Sequence, residues 1–374
     1  MRFRMTGVVQ GVGFRPAAVR IAREMGLNGH VRNDGAGVEV VLEGDGAHFI
    51  ERLRTSLPPL ARIDSIVQSL GEPENEGFVI LESEPAAGRA EIPPDTAVCP
   101  ECLREIDDPH DRRGGYPFTS CTNCGERFSV VRGTPYDRQR TAMERFKMCQ
   151  QCSAEYGSEG DRRFHHQTVC CPECGPGYTL YGPMGEEMPG GIGSFARMLD
   201  AGKFGVLKGW GGAHICSAAA EAELFRKWYR RETKPLAVMV RDLDTVRPLF
   251  AASARELNEL ASASRPIVLL RKGLAAPWMD IVAPGLDSVG VMLPYTGIHR
   301  VLFSSMRTDA LVMTSANPPG APMHVENKEM FGLGADCYLL HNREIANRCD
   351  DSVVKLYGAN RFFVRRSREY VPRS

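Results

Sequence analysis

Four Cys-x-x-Cys pairs lie in the middle of this 374-residue chain, and their spacing repeats. The first two pairs enclose 18 residues, as do the last two, and every cysteine of the first half recurs 50 residues later. The chain therefore contains an internal duplication of one C-x2-C-x18-C-x2-C module. The eight cysteines in this frame are Cys99, Cys102, Cys121, Cys124, Cys149, Cys152, Cys171 and Cys174.

The duplicated frame predicts two structural zinc ions. Four thiolates close a tetrahedral shell around Zn²⁺ and leave no open position for catalysis. A redox role is the alternative for any single Cys-x-x-Cys pair, but it does not explain four pairs in a repeated frame. Cys170 breaks the spacing, so we expect it to take no part in binding. Spacing alone leaves open whether each module closes on itself or exchanges pairs with the other.

Charge and hydropathy exclude some classes of protein. Lys plus Arg and Asp plus Glu both number 46, so no overall basic field exists and nucleic acid is not the expected partner. No apolar run reaches the length of a membrane span, and the first residues lack a signal-peptide core. We therefore expect a cytosolic protein with no membrane partner, in which twelve cysteines do not form a disulfide framework.

Residues 1–83 follow the order β-α-β-β-α-β, which predicts a ferredoxin-like sandwich. The segment between the first strand and the first helix reads Val9-Gln10-Gly11-Val12-Gly13-Phe14-Arg15-Pro16. Glycines at this position let successive main-chain N–H groups face one concavity, which binds phosphate beside a helix N-terminus. Arg15 adds a cation at its edge.

The remaining chain divides at segments rich in glycine and proline. We predict a linker over residues 84–98, a double zinc-finger module over 99–180 and a mixed α/β domain over 188–374. Short apolar runs in the last domain indicate buried strands, and Ala218–Arg231 is predicted as a helix. The predicted fold class is α+β with several domains.

Two of these segments resemble known enzyme domains. The string from Val9 to Pro16 resembles the acylphosphatase signature, and residues 29–33 (GHVRN) resemble the second motif of that family. The resemblance implies that Arg15 binds the phosphate and that Asn33 orients the attacking water. A fold that has lost its catalysis is the alternative, but both functional positions are filled.

The last domain resembles the YrdC-like domain in the strings KGWGG (208–212), KPLAVM (234–239) and MTSAN (313–317). The resemblance implies a cavity for ATP and a carbamate. Lys208, Arg231 and Lys234 would face phosphates or the carbamate, and Thr314, Ser315 and Asn317 would hold the nucleotide. Arg230 is the alternative to Arg231. Taken singly, such residues are more often solvated or helix-capping.

Together the three parts resemble the hydrogenase-maturation carbamoyltransferases of the HypF type. That resemblance implies hydrolysis of carbamoyl phosphate, formation of carbamoyl adenylate with ATP and Mg²⁺, and transfer to the C-terminal cysteine of HypE for cyanide-ligand synthesis. The transfer domain of this family is expected to be absent from these 374 residues. The alternatives are a threonylcarbamoyl-adenylate synthase acting in tRNA modification and a non-catalytic zinc-finger binding protein.

Overall fold

The computed structural model describes residues 1–73, 75–84, 88, 90–230, 233–273, 276–317 and 321–372. The chain forms two compact units. The first comprises Met1–Asp95 and Ser120–Gly175, and the second comprises Thr96–Thr119 and Pro176–Val371. None of the helices in the described ranges has the length and hydrophobicity needed to cross a membrane.

The first unit contains a five-stranded sheet with two helices. The strand order is β4-β1-β3-β2-β5, and only β2 and β5 pair in parallel. Buried residues of the sheet and of both helices form one core, which includes Phe14, Phe49 and Phe78. The predicted ferredoxin-like arrangement is confirmed. The elements are β1 (Arg2–Val8), α1 (Phe14–Glu24), β2 (Gly29–Asn33), β3 (Val38–Leu42), α2 (Gly46–Thr55), β4 (Arg62–Ser69) and β5 (Phe78–Ile80).

The two copies of the cysteine module repeat the same local structure. A helix of eight residues follows the first cysteine of each copy: α3 (Pro100–Asp107) after Cys99 and α4 (Gln150–Gly157) after Cys149. Both cysteines adopt extended backbone as the N-cap residue. A short 3-10 turn, Arg138–Arg140, lies in the segment between the copies.

The second unit is built on a mixed sheet. Twelve strands belong to it in the described ranges, in the order β17-β16-β12-β13-β10-β14-β9-β8-β15-β6-β7, with β11 paired to β12. The strands are β6 (Tyr178–Tyr181), β7 (Glu187–Met188), β8 (Gly205–Lys208), β9 (Ala213–Ala218), β10 (Ala237–Val240), β11 (Phe250–Ala251), β12 (Ile267–Lys272), β13 (Ser288–Met292), β14 (Ala310–Ser315), β15 (Cys337–His341), β16 (Val353–Tyr357) and β17 (Asn360–Arg365).

The helices of the second unit pack around this sheet, and a large apolar core lies between them. They are α5 (Gly191–Asp200), α6 (Ala222–Tyr229), α7 (Leu243–Leu249), α8 (Ala254–Ala261), α9 (Trp278–Val282), α10 (Gly297–Ser304) and α11 (Asn327–Met330), with 3-10 turns at Ala219–Glu221 and Phe331–Leu333.

The helix predicted over Ala218–Arg231 is shorter than expected. Ala218 is the last residue of β9, whose six residues are all buried and pair with β8 and β14. A 3-10 turn precedes α6, which ends at Tyr229 because Arg230 adopts a left-handed backbone with φ of 51°. Pairing of Ala218 with Leu311 of β14 explains why this residue belongs to the strand and not to the helix.

Candidate functional site

The segment between β1 and α1 forms a concave turn. Gly11 has a φ of 71° and Gly13 a φ of 77°, both in the left-handed region that glycine adopts without strain. Gly13 is the N-cap residue of α1. A small cavity of about 20 Å³ lies against this turn and is lined by Gly11, Gly13 and Arg15 among others. The predicted phosphate-binding turn therefore has the required backbone and opens onto a cavity.

Arg15 is buried at the first turn of α1, although its side chain is charged. Its Nη2 donates to a carboxylate oxygen of Asp137 at 3.0 Å. Its Nη1 lies 3.4 Å from the hydroxyl of Ser83. Burial of a cation requires such partners, and these two hold the guanidinium beside the glycine turn.

Asn33, at the end of β2, is fully buried. Its Nδ2 is 3.5 Å from the carbonyl oxygen of Tyr136, but its Oδ1 has no hydrogen-bond partner among the described residues. A buried acceptor of this kind normally binds an ordered water or a ligand. Asn33 therefore has the free acceptor that orientation of a water molecule requires.

The segment around Tyr136 lies against the glycine turn. A Cβ atom at Gly11 would be 3.0 Å from the ring of Tyr136, so a side chain at Gly11 would crowd the ring and require it to shift. The Tyr136 amide donates to Oε1 of Gln10 at 2.8 Å, and Nε2 of Gln10 donates to the carbonyl oxygens of Asp34 and Gly37. Gln10 thus connects this segment to the turn between β2 and β3.

A second cavity of about 450 Å³ adjoins the turn. Arg15, His165 and Gln167 line both cavities. Burial and the charge of Arg15 lower the pKa of His165 to about 4, against a smaller opposing effect of Asp137. His165 is therefore neutral at pH 7, so the cationic charge beside the turn comes from Arg15.

The second copy of the cysteine module brings its four sulfurs together. The Sγ atoms of Cys149 and Cys171 are 3.7 Å apart, those of Cys171 and Cys174 are 3.8 Å apart, and those of Cys152 and Cys174 are 3.7 Å apart. A tetrahedron with Zn–S bonds of about 2.3 Å has edges of about 3.8 Å. The sulfur positions therefore fit Zn²⁺.

The first copy closes in the same way. The sulfurs of Cys99, Cys102, Cys121 and Cys124 lie within 4.8 Å of one another, and those of Cys121 and Cys124 are 3.8 Å apart. Each copy thus forms a cluster from its own four cysteines, which answers the question that spacing left open. None of these eight described cysteines forms a disulfide, and Cys170 belongs to neither cluster.

Arg127 connects a Cys-x-x-Cys turn to the glycine turn. Its side chain is buried and donates to the carbonyl oxygens of Cys121 at 2.8 Å and Cys124 at 2.8 Å. The same guanidinium donates to the carbonyl oxygen of Gly11 at 2.5 Å. Its main-chain N–H donates to Asp95 at 2.7 Å. One buried side chain therefore fixes both turns.

The second unit contains a separate cavity of about 340 Å³. Lys234, before β10, and Thr314 and Ser315, at the end of β14, all line it. A cation and two hydroxyl groups thus face one space large enough for part of a nucleotide. Three of the six residues predicted to bind nucleotide or carbamate are brought together here.

The other three predicted residues are placed differently. Lys208 is buried, and its Nζ donates to Oδ1 of Asn327 at 2.6 Å and lies 3.4 Å from the His341 carbonyl oxygen. Asn317 donates to the carbonyl oxygen of Ala321 at 2.8 Å. Neither lines the 340 Å³ cavity. Arg231 lies outside the described residues.

Two adjacent carboxylates also line the cavity. Burial and the neighbouring Asp351 raise the pKa of Asp350. Burial opposes the charge of Asp351 as well, but His214 and Arg368 lower its pKa. Asp351 accepts from Arg368 at 3.0 Å, and the guanidinium of Arg368 lies 3.6 Å from the ring centre of Tyr295. Asp351 is therefore anionic, and its hydrogen bond from Arg368 fixes its position.

Asp137, His165 and Gln167 line the 450 Å³ cavity, although no sequence motif assigned a function to them. Asp137 lies 122 residues after its partner Arg15, and no periodicity links the two positions. His165 has one local signal in the sequence, because it lies two positions after the repeated Asp-Arg-Arg string.

Three family profiles match consecutive parts of the chain. The acylphosphatase profile matches residues 1–80, and the HypF finger profile matches residues 98–131 and 148–181. The Sua5_yciO_yrdC profile, whose description is "Telomere recombination", matches residues 197–367. These ranges cover the glycine turn, both cysteine clusters and the 340 Å³ cavity.

Similar proteins match over almost the whole chain. "Carbamoyltransferase HypF2" of Cupriavidus necator is 45% identical, over 100% of this chain and 50% of that protein. "Carbamoyltransferase HypF" of Rhodobacter capsulatus is 43% identical, over 99% of this chain and 50% of that protein. The chain thus spans about half the length of these curated relatives.

Two solved structures have the same fold. A full-length HypF "in the phosphate- and nucleotide-bound form" superposes with a TM-score of 0.94 at 39% identity, over 99% of this chain and 50% of that one. The HypF of T. kodakarensis superposes with a TM-score of 0.92 at 43% identity, over 99% and 49%. With its acylphosphatase part, its duplicated finger and its YrdC-like part, the chain belongs to the HypF carbamoyltransferase family.

Proposed function

We propose that this chain hydrolyses carbamoyl phosphate at the glycine turn and adenylates the resulting carbamate in the 340 Å³ cavity. One observation carries the proposal: the first unit contains a turn with phosphate-binding backbone, the buried cation of Arg15 next to that turn, and the free acceptor of Asn33. The names of the relatives support the same chemistry.

The first step is attack of water on phosphorus. Oδ1 of Asn33 accepts a hydrogen bond from the water and orients it. The water oxygen bonds to phosphorus while the bond from phosphorus to the carbamoyl oxygen breaks, which releases phosphate and carbamate. Arg15 stabilises the charge that builds up on the phosphoryl oxygens, so that positioning and electrostatics supply the catalysis.

The second step is attack of a carbamate oxygen on the α-phosphorus of ATP. The bond to the β-phosphate breaks, giving carbamoyl adenylate and pyrophosphate. Lys234 neutralises phosphate charge, and the hydroxyl groups of Thr314 and Ser315 bind the nucleotide. Asp350 offers a hard oxygen of the kind that Mg²⁺ binds, and Mg²⁺ would offset charge on the phosphates. Lys208, Asn317 and Arg231 remain predicted contributors to this step.

In the whole protein, the carbamoyl group would pass to the C-terminal cysteine of HypE and become a cyanide ligand of a NiFe centre. This part rests on the family alone. The boundaries at residues 83, 98, 180 and 188 remain predictions. We also infer a cytosolic location, because none of the twelve described cysteines forms a disulfide and eight of them form clusters with the geometry of metal sites.

Substrate specificity tests the proposal. The chain should release phosphate from carbamoyl phosphate, and it should catalyse ATP–pyrophosphate exchange only when carbamoyl phosphate is present. Exchange supported by threonine and bicarbonate instead would identify a threonylcarbamoyl-adenylate synthase. A protein that releases no phosphate and exchanges no pyrophosphate would fit the third reading, a zinc-finger binding protein without catalysis.

A further inference from the structure

Asp137 lies where the two cavities of the first unit meet. The small cavity at the glycine turn and the 450 Å³ cavity share Arg15 as a lining residue. Asp137 lines the larger cavity, and its carboxylate is 3.0 Å from the Arg15 guanidinium. The Asp137 side chain is 21% exposed to solvent, so its carboxylate is accessible from that cavity.

An acyl phosphate bound at the glycine turn would place its phosphoryl group beside Arg15, in the smaller cavity. Because Arg15, His165 and Gln167 line both cavities, the larger cavity adjoins that position and is the space open to the acyl group. The lining there includes the polar side chains of Ser83, Asp137, Arg138 and Gln167.

We propose that Asp137 accepts a hydrogen bond from the amino group of the substrate and so selects carbamoyl phosphate over acyl phosphates that carry an alkyl group. The inference rests on the proposed hydrolysis at Arg15 and adds a residue that determines its specificity. The carbamoyl group ends in –NH2, which offers two donors, whereas the acetyl group ends in a methyl group. The carboxylate accepts a hydrogen bond from the –NH2 group. The methyl group displaces water from the carboxylate and offers no hydrogen bond in its place.

The main chain on both sides of Asp137 is fixed, as such recognition requires. The preceding residue, Tyr136, donates its N–H to Gln10 at 2.8 Å. The following residue, Arg138, donates its N–H to Oε1 of Gln167 at 2.9 Å, and its guanidinium donates to the carbonyl oxygens of Gln167 and Val169. Asp137 is therefore presented by a rigid segment.

A purely structural role for Asp137 makes a different prediction. If the carboxylate only held the guanidinium of Arg15, its removal would impair every acyl phosphate equally, because every one of them uses Arg15. Recognition of the amino group instead changes the ratio between substrates. The ratio of kcat/KM for carbamoyl phosphate to kcat/KM for acetyl phosphate therefore separates the two roles.

The test compares Asp137→Ala, Asp137→Asn and the unmodified chain on both substrates. Because Asp137 is only partly buried, we expect the ratio to fall by about tenfold or more in Asp137→Ala, less than in a fully enclosed site. Asp137→Asn keeps an acceptor oxygen and should retain most of the preference. Glu144→Ala, which alters an exposed carboxylate of the same segment, should change kcat/KM for neither substrate. An unchanged ratio in Asp137→Ala would overturn the inference.

Binding affinities for compounds that are not hydrolysed test the role of Asp137 independently of turnover. Calorimetry with carbamoylphosphonate and acetylphosphonate, which cannot be hydrolysed, should show that the unmodified chain prefers the carbamoyl compound and that Asp137→Ala does not. If the unmodified chain hydrolysed neither substrate, the proposed function would fail while this comparison still tested Asp137. Equal affinities of the unmodified chain for the two compounds would refute the role of Asp137.

Discussion

Nε2 of His214 lies 2.7 Å from a carboxylate oxygen of Asp351, and both side chains are almost completely buried. The other carboxylate oxygen of Asp351 accepts from Arg368, which is buried too. Asp351 thus joins a histidine on β9 to an arginine beyond β17. Asp351 lines the 340 Å³ cavity, so His214 and Arg368 stabilise the wall of this cavity through Asp351.

Replacing Asp351 with alanine should destabilise the second unit. The change leaves the Arg368 cation buried without its carboxylate, and breaking a buried pair in this way costs roughly 3–5 kcal/mol. Urea unfolding followed by near-ultraviolet circular dichroism would measure the loss. Asp309→Ala breaks a pair with Arg241 in which the carboxylate is mostly exposed, and it should cost under about 1 kcal/mol. Equal losses for the two variants would contradict this account.

His165 should make the first unit sensitive to acid. Its pKa is about 4 in the folded protein, whereas an unfolded histidine titrates near pH 6.5. Below pH 6.5 the unfolded chain binds the proton first, so this contribution to stability is present above pH 6.5 and is lost as the pH falls toward 4.

The variant His165→Asn should therefore lose less stability between pH 7 and pH 4.5 than the unmodified chain. Asparagine tolerates the left-handed backbone at this position. Chemical denaturation at the two pH values gives the difference directly. The exposed His48→Asn serves as the control and should follow the unmodified chain. A full acid loss in His165→Asn would show that this side chain is not responsible.

Metal analysis should find two zinc ions per chain. Cys152→Ser removes one ligand from the second cluster, so zinc content should fall to one per chain. Cys170→Ser changes a buried cysteine that is adjacent in sequence to a ligand but belongs to neither cluster, and it should keep two. A chain with Cys152→Ser that still bound two ions tightly would disprove the assignment.

Arg15→Ala should remove the hydrolysis of carbamoyl phosphate. The loss of a charge that stabilises the transition state should lower kcat by roughly 100-fold or more. Arg20→Ala changes an exposed arginine on the same helix and should leave the rate unchanged. Phosphate release measured for both variants, with circular dichroism to confirm folding, tests the claim. Near-full activity in Arg15→Ala would place catalysis elsewhere.

Lys234→Ala should weaken ATP–pyrophosphate exchange by roughly tenfold or more, because a cation facing phosphate charge would be lost from the cavity. Phosphate release from carbamoyl phosphate should continue, since the site proposed for it lies in the other unit. Lys227→Ala alters an exposed lysine paired with Glu223 and serves as the control. Loss of both activities in Lys234→Ala would point to misfolding instead of a binding role.

Local signals predicted much of this molecule. The cysteine frame identified both clusters because ligand type and spacing are properties of a short segment. The bounds of β1 follow from an equally local pattern, and Arg15 and Asn33 belong to motifs a few residues long. The prediction failed at the ends of the helix expected over Ala218–Arg231, because Ala218 pairs with Leu311 of β14 as the last residue of β9 and Arg230 adopts a left-handed backbone.

Contacts between distant segments could not be predicted in the same way. Asp137 reaches Arg15 across 122 residues, and Asp351 reaches His214 across 137. Such pairs depend on how whole elements pack, which no local pattern encodes. Lys208 illustrates the same limit, since its motif does not indicate that its ammonium group donates to Asn327, 119 residues away.

The hydrogen bonds of Arg127 should couple the binding of zinc at the cysteine turn to the binding of an anion at the glycine turn. Because one guanidinium holds the carbonyl oxygens of Cys121, Cys124 and Gly11, order in the cysteine turn and order in the glycine turn favour each other. Binding energies coupled in this way are reciprocal. An anion that occupies the turn should therefore slow the loss of zinc to a chelator, and a chain stripped of zinc should bind phosphate more weakly even though no zinc ligand contacts it.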